Sequence, residues 1–209
     1  MSEKAYEIGR LLRAGISGFV AGTRVLVQDA PRFGALVRAP LGEADSIYGI
    51  IHEINIDDDG LVRQLVTTEG VDASVIADQR VNRNVPMEMS VLAVGYRRAD
   101  QPPRHLLPPR APLSLDLIYQ CDDEEIVTFT NVGRFGYLRH LLHNPDLPVS
   151  ELIAAHIQQA DAAHRAAGDP TWARRAAEEL ILLLRDDYPV LMQVLGALSD
   201  AIPEFEVAP

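Results

Sequence analysis

The stretch from residue 32 to residue 57, RFGALVRAPLGEADSIYGIIHEINID, constrains the fold more than any other part of this 209-residue chain. Its alternation of apolar residues predicts one strand over Phe33–Arg38 and a second over Ile47–Ile56. Pro40 and Gly42 form the turn predicted between them. The second strand starts as an apolar run, which allows burial on both faces. These two strands are the basis of the fold that we expect.

Further short strands are predicted on both sides of this stretch, at residues 8–12, at Thr23–Gln28 and at Pro86–Tyr96. The segments 61–68 and 74–81 fit either a strand or a helix. Short strands at even spacing, separated by turn residues, favour a small β-barrel over a parallel α/β sheet. The glycines expected to interrupt the chain between the first two strands are Gly15, Gly18 and Gly22.

A proline-rich segment at residues 97–112 follows the predicted barrel and holds five of the fourteen prolines. Proline lacks a backbone donor, so we expect an extended connector across the surface, pinned there by Leu106 and Leu107. The next two extended segments, Leu113–Tyr119 and Glu125–Thr130, are predicted to bracket an acidic loop.

Helical spacing begins near Phe135 and continues to the end of the chain. A long helix is predicted from about Ser150 to Ala167, and two further helices from Asp169-Pro170 and from Asp187. The fold class is therefore α+β. A small antiparallel β-barrel with its proline-rich exit (8–112) is followed by a mostly helical region (113–203).

The formal net charge of −11 argues against attraction of the whole surface to nucleic acid or to anionic membranes. A single cysteine, Cys121, excludes an internal disulfide framework and fits a reducing compartment. The first residues do not resemble a signal peptide, and the apolar run Leu180–Leu184 is too short to span a bilayer. These features predict a cytoplasmic protein with no membrane partner.

Two acidic runs are candidate cation sites. Asp57-Asp58-Asp59 fails the EF-hand pattern, because the twelfth position is Thr68 and not a glutamate. The run at residues 122–125 would need ligands from other elements to act as a metal or acid–base site. We interpret both runs as charged turns. A cation-dependent hydrolase that uses both loops is the alternative.

The histidines and the cysteine form no recognisable catalytic motif. His140 and His143 lie three positions apart on a predicted helix but lack the carboxylate of a zincin motif, and we interpret them as surface residues. His156 and His164 receive the same interpretation, and Cys121 is interpreted as structural. We therefore assign no catalytic, cofactor-binding or metal-binding residue, and expect no cofactor.

One interval of the sequence favours nucleic acid. Residues 80–110 contain six arginines and only two acidic residues, whereas the chain as a whole is acidic. Such a patch can follow a phosphate backbone, bind an acidic face of a protein partner, or pair with carboxylates of this chain. The candidate contact residues are Arg80, Arg83, Arg97, Arg98, Arg104 and Arg110.

The runs GTRVLV, PRFGALVRAP and SIYGIIHEI resemble the HAS barrel, the small β-barrel shared by HerA-type DNA-translocating ATPases and the ATP synthase α and β subunits. In that pattern a Gly-hydrophobic strand, here at residues 33–37, precedes a hydrophobic-Gly-hydrophobic strand that ends near Glu-Ile, here at residues 48–54. The runs VPMEMSVLAVGY and PPRHLLPPRAPL resemble the closing strand and proline-rich exit of stand-alone HAS-barrel proteins of cyanobacteria and related bacteria. The likeness covers residues 8–112.

The resemblance implies a barrel without its motor. HerA-type proteins carry an ATPase domain with a P-loop, and this sequence contains neither GxxxxGK[ST] nor GxGxxG. In the motor proteins the barrel packs ring subunits together and offers a docking surface for a nuclease. The implied function is a non-catalytic assembly or adaptor protein. Its expected partners are a HerA-like ATPase, an associated nuclease, or further copies of the chain, with direct nucleic-acid binding as the alternative.

Overall fold

The computed structural model describes residues 6–25, 31–42, 44–56, 85–144 and 146–205. Within these ranges a closed antiparallel β-barrel precedes five α-helices, which confirms the predicted α+β fold. The six strands are β1 (Tyr6–Ala14), β2 (Gly18–Val25), β3 (Leu36–Leu41), β4 (Asp45–Ile56), β5 (Val85–Arg97) and β6 (Leu117–Gln120). Within the same ranges, none of the helices has both the length and the apolar character needed to cross a membrane.

The barrel closes in the order β1-β2-β5-β4-β3-β6, with every neighbouring pair antiparallel. The short strand β6 closes it by pairing with β1 on one side and with β3 on the other. It follows the proline-rich segment, so the last strand of the barrel comes from beyond residue 112. Side chains from all six strands fill the interior, including Leu11, Val37, Ile47, Met89 and Ile118.

Three residues of the barrel that were predicted to lie in turns or to interrupt the chain belong to strands instead. Pro40 lies inside β3 opposite Ser46, whereas Gly42, the other residue of the predicted turn, does lie in the turn and has a φ of +83°. Gly18 and Gly22 do not interrupt the chain: β2 begins at Gly18 and contains Gly22. A Cβ atom on Gly18 would lie 2.4 Å from the carbonyl oxygen of Val91, so this glycine permits close strand approach and does not end the strand.

The five described α-helices are α1 (Asp123–Thr130), α2 (Leu138–Leu142), α3 (Val149–Ala166), α4 (Trp172–Leu183) and α5 (Tyr188–Ala201). Four of them lie close to where helices are predicted, and α1 is the exception. The segment that contains α1 was predicted to be extended. It is helical because the side chain of Asp122 caps the helix N-terminus, while Glu125 bonds back to the backbone of Asp122 in a capping box.

The helical region packs on the outer wall of the barrel. Leu36, Tyr48, Ile50 and Val94 point outward from β3, β4 and β5 and join one apolar cluster with the helices. The ring of Phe129 on α1 stacks on Tyr48 with ring centroids 4.7 Å apart. Since β4 therefore has one face in the barrel interior and the other under the helices, its apolar run is explained by burial on both sides.

Candidate functional site

The four arginines of the interval that the structure describes have different surroundings. Arg80 and Arg83 lie outside the described residues. Arg97 ends β5, half-buried, and its charge acts on the neighbouring Glu125 carboxyl. Arg110 donates from Nη2 to the backbone carbonyl of Leu41, 3.2 Å away, and so holds the proline-rich segment to the β3–β4 turn.

The two remaining arginines of the interval are exposed. Arg104 is fixed by its backbone, which pairs with Tyr96 in both directions, and its guanidinium donates to the side chain of Gln101 at 3.2 Å. Arg98 lies at the start of the turn that follows β5. Arg97 is half-buried, whereas Arg98, Arg104 and Arg110 are exposed, and Arg104 and Arg110 each donate to a group of their own chain.

A partly buried ion pair joins the barrel to the first helix. Nε of Arg38 on β3 lies 2.7 Å from Oε1 of Glu125 on α1, and the guanidinium lies 4.7 Å from the centre of the Tyr119 ring. Burial raises the pKa of the Glu125 carboxyl, and the charge of Arg38 opposes that rise. The pair fixes α1 against the wall of the barrel.

Cys121 lies next to this pair and is buried. Burial raises the pKa of its thiol well above the ordinary value, and the charge of Glu125 raises it further. A thiol in this environment stays protonated and is a poor nucleophile, which agrees with a structural role.

Of the two acidic runs, the structure describes only the one at residues 122–125. Asp57, Asp58 and Asp59 lie outside the described residues, while Asp122 and Glu125 are engaged in the cap of α1. In the part of the chain that the structure describes, no group of three or more His, Cys, Asp or Glu side chains is placed to hold a metal ion.

His156 is buried, so its prediction as a surface residue is wrong. Its Nδ1–H donates to the carbonyl oxygen of Gly34 at 3.0 Å, and its Nε2 accepts from the Tyr137 hydroxyl at 3.2 Å. Burial lowers the pKa of His156 to about 4, which keeps the ring neutral. One imidazole thus connects α3, the segment before β3, and the residue before α2.

His164 is also buried, contrary to prediction, and its contacts resemble a hydrolase triad. Its Nε2 lies 2.7 Å from Oγ1 of Thr130, and its Nδ1 lies 4.0 Å from Oδ2 of Asp169. The order nucleophile, imidazole, carboxylate is that of acyl-transfer enzymes.

The proton positions are opposite to those of a catalytic triad. Oγ1 of Thr130 lies 2.7 Å from the carbonyl oxygen of Ile126, and this contact requires the single hydroxyl proton. Nε2 of His164 therefore donates to Thr130 and cannot act as its base. Asp169 binds Arg175 at 2.6 Å, and Thr130 and His164 are both buried. We conclude that this arrangement is structural.

His105 anchors the proline-rich segment. Its Nε2 donates to the carbonyl oxygen of Phe129 at 3.0 Å, while its own carbonyl accepts hydrogen bonds from Arg139 and His140. The predicted anchors, Leu106 and Leu107, are instead about half exposed. The segment is therefore held by a buried polar residue, which no apolar pattern in the sequence signals.

The large apolar side chains that are exposed in the described helices lie near the junction of α4 and α5. We define the helical corner as Ile181, Leu182, Leu183, Tyr188 and Met192. Their exposed fractions run from 42% to 68%. Tyr188 and Met192 are four positions apart on α5 and so share one face of that helix. The polar side chains of Arg185 and Asp186 border the corner, both strongly exposed.

Comparisons with known proteins do not assign a family: no protein-family model and no curated protein sequence matches this chain.

Proposed function

We propose that this chain is a non-catalytic cytoplasmic adaptor that binds a ring-forming ATPase of the HerA type. The helical corner carries the proposal. A cluster of exposed apolar side chains bordered by charged ones is typical of a protein–protein interface. The likeness of the barrel sequence to HAS barrels indicates the kind of partner, because those barrels assemble ring ATPases and their nucleases.

The arrangement of the two regions supports this proposal. The helices cover the outer wall of the barrel at β3, β4 and β5, with Tyr48 and Ile50 in the cluster they share. In an adaptor of this design the helices contact the partner, and the barrel holds the helices in place. The corner lies in α4 and α5, and Trp172 and Leu198 anchor these two helices in the core.

Purified chain mixed with a HerA-type ATPase from the same genome tests the proposal by size-exclusion chromatography with light scattering. We expect one complex that contains both proteins. Leu182→Asp combined with Met192→Asp should abolish it, because each change places a charge in the apolar contact. Leu106→Asp is the matched control, since Leu106 is about equally exposed but lies on the proline-rich segment.

Two results would contradict the proposal. One is separate elution of the two proteins, with the chain monomeric by itself. The other is a complex that Leu182→Asp with Met192→Asp and Leu106→Asp affect equally.

A further inference from the structure

An open cleft of about 380 Å³ lies against the wall of the barrel, far in sequence from the helical corner. The β1–β2 turn forms one side of it, β4 and β5 form the floor, and Asn144 from the loop after α2 closes it toward the helices. Small-molecule sites prefer such junctions and have volumes of roughly 300–1,000 Å³.

Two β-bulges adjoin this cleft. In β4, Ile51 pairs with Val91 and Glu53 pairs with Ser90, so His52 is an extra residue without its own partner. In β1, Leu12 is extra in the same way, directly before Arg13. A bulge turns a side chain away from its regular direction and is common beside functional sites. The bulged His52 and Arg13, which follows the second bulge, both line the cleft.

The described residues that line the cleft include a positively charged side chain and no negatively charged one. The chain has 30 acidic residues, yet none of the described lining residues is acidic. Instead they offer the guanidinium of Arg13, the hydroxyls of Ser17 and Ser90, the amide of Asn144 and the imidazole of His52. Among the described residues, no carboxylate forms an ion pair with Arg13. The cleft thus combines a positive charge with several hydrogen-bond donors.

The floor of the cleft gives it a fixed shape. Phe19 and Val91 are buried beneath it. The turn above them is held by the bond from the Gly15 amide to the Gly18 carbonyl, 2.8 Å, and by the bond from the Ala93 amide to the Ser17 carbonyl, 2.9 Å. Since these bonds position the turn before any ligand arrives, binding requires little ordering of the chain.

We propose that this cleft binds a small oxyanion, a carboxylate or phosphate group of a small molecule, with Arg13 as its charge partner and Ser17, His52 and Asn144 as hydrogen-bonding groups. Arg13 pairs with two oxygens of the anion, the geometry that a guanidinium favours. The proposed site is independent of the adaptor role, because it shares no residue with the helical corner.

Titration of the ¹⁵N-labelled full chain with sodium phosphate, and separately with sodium succinate, at constant ionic strength in sodium chloride tests this site by NMR. We expect saturable shifts at the amides of Gly15, Ser17 and Gly18 and at the side chain of Asn144. The anion that saturates at lower concentration identifies which oxyanion the site prefers. Saturation by either one supports the proposal.

Arg13→Gln should weaken binding by roughly tenfold or more, as expected from the loss of a charged hydrogen bond. Because Arg13 is exposed, this change should leave the fold intact. Arg174→Gln is the charge-matched control, at an exposed position on α4, and should leave binding unchanged. His52→Gln should weaken binding to a smaller degree.

Shifts that do not saturate with either anion would overturn the proposal. Equal affinity in the Arg13→Gln and Arg174→Gln variants would overturn it as well.

Discussion

His156 donates a hydrogen bond to the carbonyl oxygen of Gly34, although the two residues are 122 positions apart in the sequence. Gly34 has a φ of +82°, and a Cβ atom there would lie 2.8 Å from the backbone nitrogen of His156. Glycine is therefore required at position 34 for two reasons: its backbone is left-handed, and α3 approaches it closely. The contact fixes the long helix to the barrel.

Gly34→Ala should lower the free energy of unfolding by at least about 2 kcal/mol, since the methyl group meets α3 and the left-handed backbone is strained. Urea denaturation, followed by the fluorescence of the single buried Trp172, measures this. Gly196→Ala is the matched control. Gly196 lies within α5 with no atom within 4 Å of an added Cβ, so the change should stabilise the chain by roughly 0.5–1 kcal/mol. Equal effects of the two changes would refute the role given to Gly34.

The stability of the chain should fall in mild acid because of His156. Burial lowers its pKa in the folded state to about 4, whereas the unfolded chain has the ordinary value near 6.5. The unfolded state therefore binds the proton first, and stability is lost as the pH falls from 6.5 toward 4. Between pH 7 and pH 5 this one residue should cost about 2 kcal/mol.

His156→Gln removes this titration and keeps a side-chain donor for Gly34 and an acceptor for Tyr137. Denaturation of both proteins at pH 7 and pH 5 should show a smaller pH dependence in the variant. The assignment would be wrong if the two proteins lost the same free energy over this range.

Glu125→Gln should destabilise the chain by roughly 1–3 kcal/mol, because it leaves the partly buried Arg38 without its counter-charge. Glu124→Gln makes the same charge change in the same helical turn at an exposed position and should cost under about 0.5 kcal/mol. Thermal denaturation at neutral pH compares the two variants. A similar melting temperature for both would show that the Arg38–Glu125 pair contributes little.

His105→Ala should release the proline-rich segment and cost roughly 2–3 kcal/mol, since it empties a buried site and leaves the Phe129 carbonyl without its partner. The neighbouring change Leu106→Ala should cost less than about 0.5 kcal/mol, because that side chain is half exposed. Limited proteolysis between residues 98 and 116 should be faster in the first variant only. Faster cleavage in the Leu106→Ala variant would instead support the prediction from the sequence that Leu106 anchors this segment.

Local sequence patterns predict correctly those features that depend on a single helix. The bounds of α3 and α5 follow from apolar spacing and from the signals at Gly168 and Asp187, which act within one turn of the helix. The segment at residues 125–130 was misread because its β-branched residues favour a strand. The capping box at Asp122 prevailed over that preference.

The candidate site depended on contacts that the sequence does not display. The arginine-rich interval looks continuous along the chain, yet Arg97 is half-buried near Glu125 while Arg98, Arg104 and Arg110 are exposed. The cleft beside His52 adjoins register shifts in β1 and β4, and strand periodicity does not reveal them. The helical corner is recognised only from the structure, which buries Trp172, Leu180 and Leu198 of these helices but leaves the apolar residues of the corner exposed.

The sequence by itself determined the α+β class and the barrel followed by helices, because alternation, proline and helix caps act between near neighbours. Only the tertiary structure decided that β6 closes the barrel and that the helices cover its outer wall at β3, β4 and β5. It also decided that His105, His156 and His164 are buried. Histidine is compatible with both surface and interior, so its environment is fixed by partners such as Gly34 that are distant in the chain.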